Sequence, residues 1–145
     1  MRFLIIFLTL LMLSACQTGS NADAPPVIRY GEDTCDECRM IINEARFAAG
    51  FINSDLQTRR FDDIGCLLIY QRKHQESIKK TWVQDYQTQA WLPADSAVFI
   101  KSSDSATPMG HGIIAVSTEE SAHNLLKNIN NGNIYNFSIL LKKQL

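Results

Sequence analysis

Short apolar runs alternate with helical patterns along most of the chain. The apolar runs stand between turn-forming residues and predict strands at 40–42, 47–52, 81–86, 97–101 and 112–116. Helical patterns follow in two places, so the order strand, strand, helix, strand is indicated twice. Identity between the two halves is poor, which makes this a pattern and not a sequence repeat. The order indicates an α+β fold, as one domain or two very small ones.

Two segments carry apolar residues at helical spacing. The first predicts a helix over 62–73, with Asp62 in the position of an N-cap and Asp63 near the positive end of the helix dipole. The second helix is predicted to begin at a capping box at Ser117 and to end before Gly132. The apolar positions that support the two helices are Ile64, Leu67 and Leu68, and then Ala122, Leu125, Leu126 and Ile129.

The first residues have the pattern of a secretory signal. Arg2 precedes an apolar run that is too short to span a bilayer, which takes about 20 helical residues. Next, Leu13-Ser14-Ala15-Cys16 resembles a bacterial lipobox, so we expect cleavage before Cys16 and acylation of that residue. The alternative is an ordinary signal peptide with a chance cysteine. Residues 1–15 are therefore predicted to be a signal peptide and residues 16–28 a flexible tether.

Gln17, rather than an aspartate, follows the lipobox cysteine. By resemblance to protein sorting in Gram-negative bacteria, this predicts an outer membrane lipoprotein that faces the periplasm. The lipid bilayer is then a partner through acylated Cys16.

Charge and cysteine content narrow the range of functions. The formal net charge of −1 over 145 residues leaves no electrostatic footprint for nucleic acid. If Cys16 carries lipid, three of the four cysteines remain: Cys35, Cys38 and Cys66. An odd number in an oxidising compartment does not make a disulfide framework, but it suits a site that needs free thiols.

Soft ligand atoms concentrate in two separate stretches. Cys38 and Met40 stand in a segment predicted to be extended, so their sulfurs would point to the same face. Met109 and His111 stand in a glycine-rich loop that can turn tightly and fold inward. Because thiolate and thioether sulfur select Cu(I), these stretches predict one copper site. The alternative is that the methionines pack in the core and His111 is structural.

Three functions compete for the CxxC pair of Cys35 and Cys38. A zinc site needs four ligands, so Cys66 and a histidine would have to complete it. A thioredoxin-like motif normally lies at a helix N-terminus, whereas a strand is predicted after Cys38. The copper interpretation leaves Cys35 as a supporting ligand or a redox partner. Cys66 is expected to pack in the core, and Asp62 either caps its helix or accepts a hydrogen bond beside the site.

No nucleophile–base pair, phosphate loop or paired-carboxylate signature is found, so the sequence predicts a protein that is not an enzyme. The leading hypothesis is a metallochaperone that binds one Cu(I) and passes it on. Its rivals are a thiol-disulfide oxidoreductase that uses Cys35 and Cys38, and a structural zinc-binding lipoprotein.

Taken in order, the motifs resemble the NosL family, the copper-binding accessory lipoproteins of nitrous oxide reductase systems. The resemblance covers about residues 30 to 125, and the order and spacing of the motifs carry it. After the lipobox these motifs are Cys35-x-x-Cys38-x-Met40-x-Ile42, Phe47-Ala48-Ala49, Arg60-Phe61-Asp62-Asp63-Ile64-Gly65-Cys66, Val83-x-Asp85-Tyr86-x-Thr88-x-x-Trp91 and Thr107-Pro108-Met109-Gly110-His111-Gly112.

The resemblance implies a Cu(I) chaperone with a fold of two small ββαβ halves packed together. The copper-binding domain would span 29–132, with halves of about 29–80 and 81–132, and the tail 133–145 has no assignment. Cys38, Met40 and Met109 carry over as ligands, with His111 and Asp62 as further candidates. The implied partner is a copper-receiving enzyme or its maturation machinery. Nitrous oxide reductase is the favoured client, although family members also occur outside denitrification clusters.

Overall fold

The computed structural model describes residues 23–143, which form two antiparallel sheets and three α-helices. The strands are β1 (Ala49–Asn53), β2 (Thr58–Phe61), β3 (Ile78–Gln84), β4 (Trp91–Pro93), β5 (Val98–Lys101), β6 (Ile113–Val116) and β7 (Asn133–Tyr135). The helices are α1 (Ile64–His74), α2 (Glu119–Leu126) and α3 (Phe137–Lys142), with short 3-10 turns at Ala45–Phe47 and Ala94–Ser96. The predicted signal peptide, the lipidation residue Cys16 and the start of the tether lie outside the described residues.

The two sheets repeat one topology. In the first sheet the order is β2-β1-β3-β4, so the strand that follows α1 returns beside β1. In the second the order is β6-β5-β7, and the strand that follows α2 returns beside β5. The expected α+β fold with two ββαβ halves is confirmed. A parallel bridge between Asp85 and Ala115 links the sheets, and there the Tyr86 N–H donates to the Ala115 carbonyl at 2.8 Å.

The observed strands include three that were not predicted and omit one that was. Residues 40–42 form only an isolated bridge, between Ile41 and Thr34, because the chain turns immediately before them. The strands β2, β4 and β7 were not predicted. All three are short and lie at sheet edges, and almost none of their residues is buried, so their hydrophobic pattern is weak. The chain passes from the first sheet to the second between Pro93 and Val98, and the domain limits drawn from the sequence stay predictions.

Helix α1 begins one residue later than the sequence suggested. Asp63 is its N-cap and accepts the Gly65 N–H at 2.6 Å, so Asp62 is not the cap. The helix ends at His74 with Gln75 in the left-handed region, φ 49°, after three basic residues that suit the negative end of the dipole. Since Asp63 satisfies the helix N-terminus, the Asp62 carboxylate is free for another partner.

The C-terminal segment that had no assignment is folded onto the core. After β7, helix α3 buries Phe137 and Leu140 in the main hydrophobic cluster. Phe137 stacks on Phe99 of the second sheet, with ring centroids 5.8 Å apart. Asn136 caps this helix by accepting the Ile139 N–H at 2.9 Å. The short length of α3 explains why its pattern carries no clear signal. Over residues 23–143, no helix combines the length and apolar character needed to cross a bilayer.

We expect Leu140→Ala to lower the free energy of unfolding by about 2–5 kcal/mol, because the side chain is fully buried and its loss leaves a cavity. Ile139→Ala in the same helix is the matched control. That side chain is 49 % exposed, so its truncation is expected to change stability by at most about 0.5 kcal/mol. Urea unfolding followed by circular dichroism measures both. Equal effects would mean that α3 does not pack as described.

Candidate metal centre

The CxxC motif lies in a closed turn and not in an extended strand. The Cys35 N–H donates to the Met40 carbonyl at 2.8 Å, and the Arg39 N–H donates to the Cys35 carbonyl at 3.0 Å. Arg39 has φ 66°, in the left-handed region, so the chain reverses there. The predicted extended conformation is therefore wrong. As a result Cys35 faces inward, 0 % exposed, while Met40 faces solvent, 59 % exposed.

The turn is fastened to the protein on two sides. The Asp36 N–H donates to the Arg60 carbonyl at 2.8 Å, and the Arg60 N–H donates to the Asp36 carboxylate at 2.7 Å. Glu37 forms an ion pair with Lys73 of α1. These contacts hold the turn against β2 and α1 together, and Asp62 and Cys66 lie where those two elements meet.

Four candidate ligands converge at this junction. The ligand atoms of three thiols and one carboxylate all lie within 4.8 Å of one another, and this thiol cluster consists of Cys35, Cys38, Asp62 and Cys66. The Cys38 thiol donates to the Asp62 carboxylate at 3.4 Å. All three cysteines are free thiols. The arrangement can hold a soft metal ion from several sides.

Cys66 belongs to the cluster, although the sequence predicted that it would only pack in the core. It is buried, 1 % exposed, as a core residue would be, but its thiol contacts the Cys35 thiol. The sequence did indicate that Cys66 could lie near the site, because it stands in the first turn of the helix that starts next to Asp62. Three free thiols in one small domain also favour a common cluster.

The surroundings of Cys35 favour a thiolate. The Cys66 thiol donates to its sulfur, and backbone N–H groups of Cys38, Asp62 and Glu37 point at the same atom. These donors lower the pKa of Cys35 to about 7 from the usual 9.0, although burial alone would raise it. The sulfur of Cys35 is therefore the first of the three to lose its proton as the pH rises.

The other two thiols keep their protons. Burial raises the pKa of Cys38 to about 12, and the neighbouring charges on Cys35 and Asp62 act in the same direction. The pKa of Cys66 is also raised, chiefly because its proton is shared with the Cys35 sulfur. The three cysteines thus titrate as a unit, and the first proton is lost from the Cys35 sulfur.

The two methionines lie outside the thiol cluster but beside it. Met40 and Met109 line a surface cleft of about 150 Å³ that Asp62 also lines, and we call it the methionine cleft. Met109 is 40 % exposed, and its N–H donates to the Asp63 carboxylate at 3.3 Å. The loop that carries Met109 turns at Gly110, φ 71°, and at Gly112, φ 67°. Both soft stretches therefore meet at Asp62, which belongs to the cluster and to the cleft.

His111 lies against the first turn of α1. A Cβ added at Gly65 would come within 2.2 Å of the His111 Cγ, so the absence of a side chain at Gly65 makes room for the imidazole. His111 is not among the residues of the thiol cluster. The structure thus gives it a packing position next to the site.

The family model of NosL matches residues 26–144. The chain belongs to the NosL family. The resemblance read from the motifs is confirmed, and the match includes most of the C-terminal segment. A solved NosL structure, described as the crystal structure of the copper chaperone NosL from Shewanella denitrificans, has a TM-score of 0.68 at 18 % identity. The match covers 79 % of this chain and 93 % of that one. No curated protein matches the sequence.

The thiol network predicts a distinct titration. Ultraviolet absorbance of the thiolate should show one step with a midpoint near pH 7, and the difference from Cys35→Ser should isolate it. Cys66→Ala removes the S–H donor that stabilises the charged form of Cys35, so the midpoint should move upward toward the usual cysteine value. A wild-type protein with no step below about pH 8 would contradict the network, since a thiol without these donors titrates above that pH.

Proposed function

We propose that this protein is a non-enzymatic Cu(I) chaperone that binds one copper ion through Cys38, Met40 and Met109 and delivers it to a copper enzyme. The observation that carries the proposal is the position of Asp62, which joins the thiol cluster to the methionine cleft. Soft donors from two distant stretches of the chain thereby lie on one side of the protein. The related structure described as a copper chaperone supports the same function.

The donor set favours Cu(I) over harder ions. Thioether sulfur is neutral and a poor ligand for zinc, magnesium or calcium, whereas it suits Cu(I). The two methionine side chains are exposed, so a partner protein can approach the ion. An exposed, partly thioether site suits a protein that must release its cargo.

Cys38 is the donor that makes binding depend on pH. A thiol must lose its proton to bind a metal ion, and the raised pKa of Cys38 means that protons compete strongly for its sulfur. Copper affinity should therefore weaken as the pH falls. Cys35, His111 and Asp62 are proposed as supporting groups around this ligand.

We also propose which enzyme receives the copper and where the protein is located. The family resemblance favours nitrous oxide reductase, or its maturation machinery, as the recipient of copper. The lipobox favours an outer membrane lipoprotein that faces the periplasm, held to the bilayer through acylated Cys16.

A structural zinc site is the second candidate. It is favoured by the thiol cluster, since three thiolates and a carboxylate are ligands that zinc accepts in a tetrahedral site. A thiol-disulfide oxidoreductase has less support. Its Cys35 thiolate is 0 % exposed, and a substrate disulfide must reach the attacking sulfur.

The methionine ligands are tested by isosteric replacement. Met40→Leu and Met109→Leu should each weaken Cu(I) binding by about tenfold or more, which corresponds to about 1.4 kcal/mol. Folding should be unaffected, because both side chains are exposed and Leu keeps the volume. Ile41→Leu in the same cleft is the control, because it alters a side chain without sulfur.

The measurement is anaerobic competition against a Cu(I) chelator at several pH values. Wild-type affinity in both methionine variants at every pH would leave a site made of thiols alone and remove the methionines from the proposal.

The lipid anchor is tested separately. Cys16→Ala should leave an uncleaved precursor that takes up no fatty acid label and does not partition into detergent, because the acyl acceptor is lost. Copper affinity of the purified variant should equal that of the wild type. Fatty acid label retained in the variant would show that the lipobox interpretation is wrong.

A further inference from the structure

We propose that the thiols of Cys35, Cys38 and Cys66 form a second, buried Cu(I) position behind the methionine cleft, and that copper passes between the two positions by way of Cys38. The inference rests on the proposed function, because copper is the cargo in both positions. It adds Cys66 as a ligand and assigns Cys35 to the inner position.

The spacing of the thiols fits one shared ion. Metal–thiolate distances are about 2.3 Å, so two sulfurs bound to one ion stand at most about 4.6 Å apart. The ligand atoms of the cluster already lie within 4.8 Å of one another. They come from a turn, a strand end and a helix start, so only tertiary folding brings them together. Little movement is needed to close them on an ion.

The sulfur donors are arranged from the interior to the surface. Cys35 and Cys66 are fully buried, Cys38 is half-buried, and the two methionines are exposed. Cys38 is therefore the donor between the inner thiols and the cleft. Asp62, which touches Cys38 and lines the cleft, places a negative charge along the same route.

Core packing alone does not account for the cluster. A cysteine that serves as a small apolar side chain turns its sulfur toward apolar neighbours, whereas these sulfurs face one another and a carboxylate. Asp62 is 4 % exposed, and among residues 23–143 no Lys, Arg or His forms an ion pair with it. Buried charges are normally paired or coordinate a metal ion. A cation held by the thiols would place a positive charge beside this carboxylate.

Transfer between the positions needs no electron transfer. Cu(I) bound in the cleft exchanges thioether bonds for bonds to the inner sulfurs while Cys38 keeps its bond. Each thiol that becomes a ligand gives its proton to solvent, and the copper stays Cu(I) throughout. Movement outward reverses these steps, and the inner sulfurs take their protons back.

The test compares variants of the two positions with one Cu(I) supplied anaerobically to each protein. The inner position is altered by Cys66→Ala, and the outer one by the double change Met40→Leu with Met109→Leu. Ile64→Val is the matched control, since it trims a buried side chain in the same helical turn and leaves every thiol in place. Circular dichroism first establishes that each variant is folded, and Cys66→Ser replaces Cys66→Ala if the alanine variant is not.

Copper-edge X-ray absorption and the rate of release to a chelator are the two readouts. We expect the double methionine variant to keep copper bound to sulfur ligands only. Its rate of release should be about one tenth of the wild-type rate or lower, because the outer route is lost. We expect Cys66→Ala to release copper about tenfold faster than wild type, while Ile64→Val releases it at the wild-type rate.

Other results would distinguish failure of the inner copper position from failure of the chaperone proposal. If the double methionine variant lost all copper while Cys66→Ala behaved as wild type, the inner position would be wrong and the chaperone proposal would stand. If the wild type bound no Cu(I), the proposed function would fail. If Zn(II) displaced Cu(I) from the double methionine variant, the inner position would be a zinc site and the inference would be overturned.

Discussion

One carboxylate ties together the start of α1 and the loop that carries Met109. Asp63 accepts the Gly65 N–H at 2.6 Å as the helix cap, and it also accepts the Met109 N–H at 3.3 Å. The cap satisfies donors that every helix N-terminus leaves open, and its loss would cost about 0.5–2 kcal/mol. Because the same carboxylate accepts from the methionine loop, the position of Met109 is coupled to the start of the helix. The neighbouring Asp62 is left to face the thiols.

The first turn of α1 makes a second contact with the loop that carries Met109. The His111 ring occupies the space over Gly65, where even a Cβ would clash. Thus the Met109 loop is held at two points, by the Asp63 carboxylate and by the packing of His111. Two positive-φ glycines, Gly110 and Gly112, allow the chain to return between these points. A histidine that the sequence offered as a ligand contributes here by holding the loop in place.

The sequence predicted the two longer helices and four of the seven strands described over residues 23–143. Apolar spacing predicted α1, and the soft residues at Cys38, Met40 and Met109 pointed to the region where the turn and the loop converge. The short strands β2, β4 and β7 escaped detection because almost none of their residues is buried, so they carry little hydrophobic pattern. The turn at Arg39 escaped because a left-handed φ is uncommon at a residue other than glycine, so nothing in the sequence indicated it. The contacts that hold the turn, from Asp36 to Arg60 and from Glu37 to Lys73, join residues far apart in sequence.

Cys66 shows a different limit of pattern reasoning. Its place on the buried side of a helix is equally consistent with packing and with a ligand, and only the tertiary distance to Cys35 and Cys38 distinguishes them. Likewise, no local pattern could indicate that Asp63 is the cap and Asp62 the acceptor, since adjacent aspartates fit either position. Their roles are decided by which carboxylate the chain turns toward Gly65.

Charge balance gives a reason why such a cluster suits Cu(I). In the absence of metal, the lowered pKa of Cys35 and the raised pKa values of Cys38 and Cys66 leave one thiolate stabilised by shared protons. With two thiolate ligands, replacing one of those protons by Cu(I) leaves the buried charge unchanged, because each carries a single positive charge. A third thiolate ligand releases a second proton and lowers the charge by one. A divalent ion that displaced one proton would add a charge to the interior, and it would have to expel a second proton to avoid that cost. A monovalent ion held by two of the thiols therefore leaves the buried charge unchanged, whereas a divalent ion does so only when all three bind it.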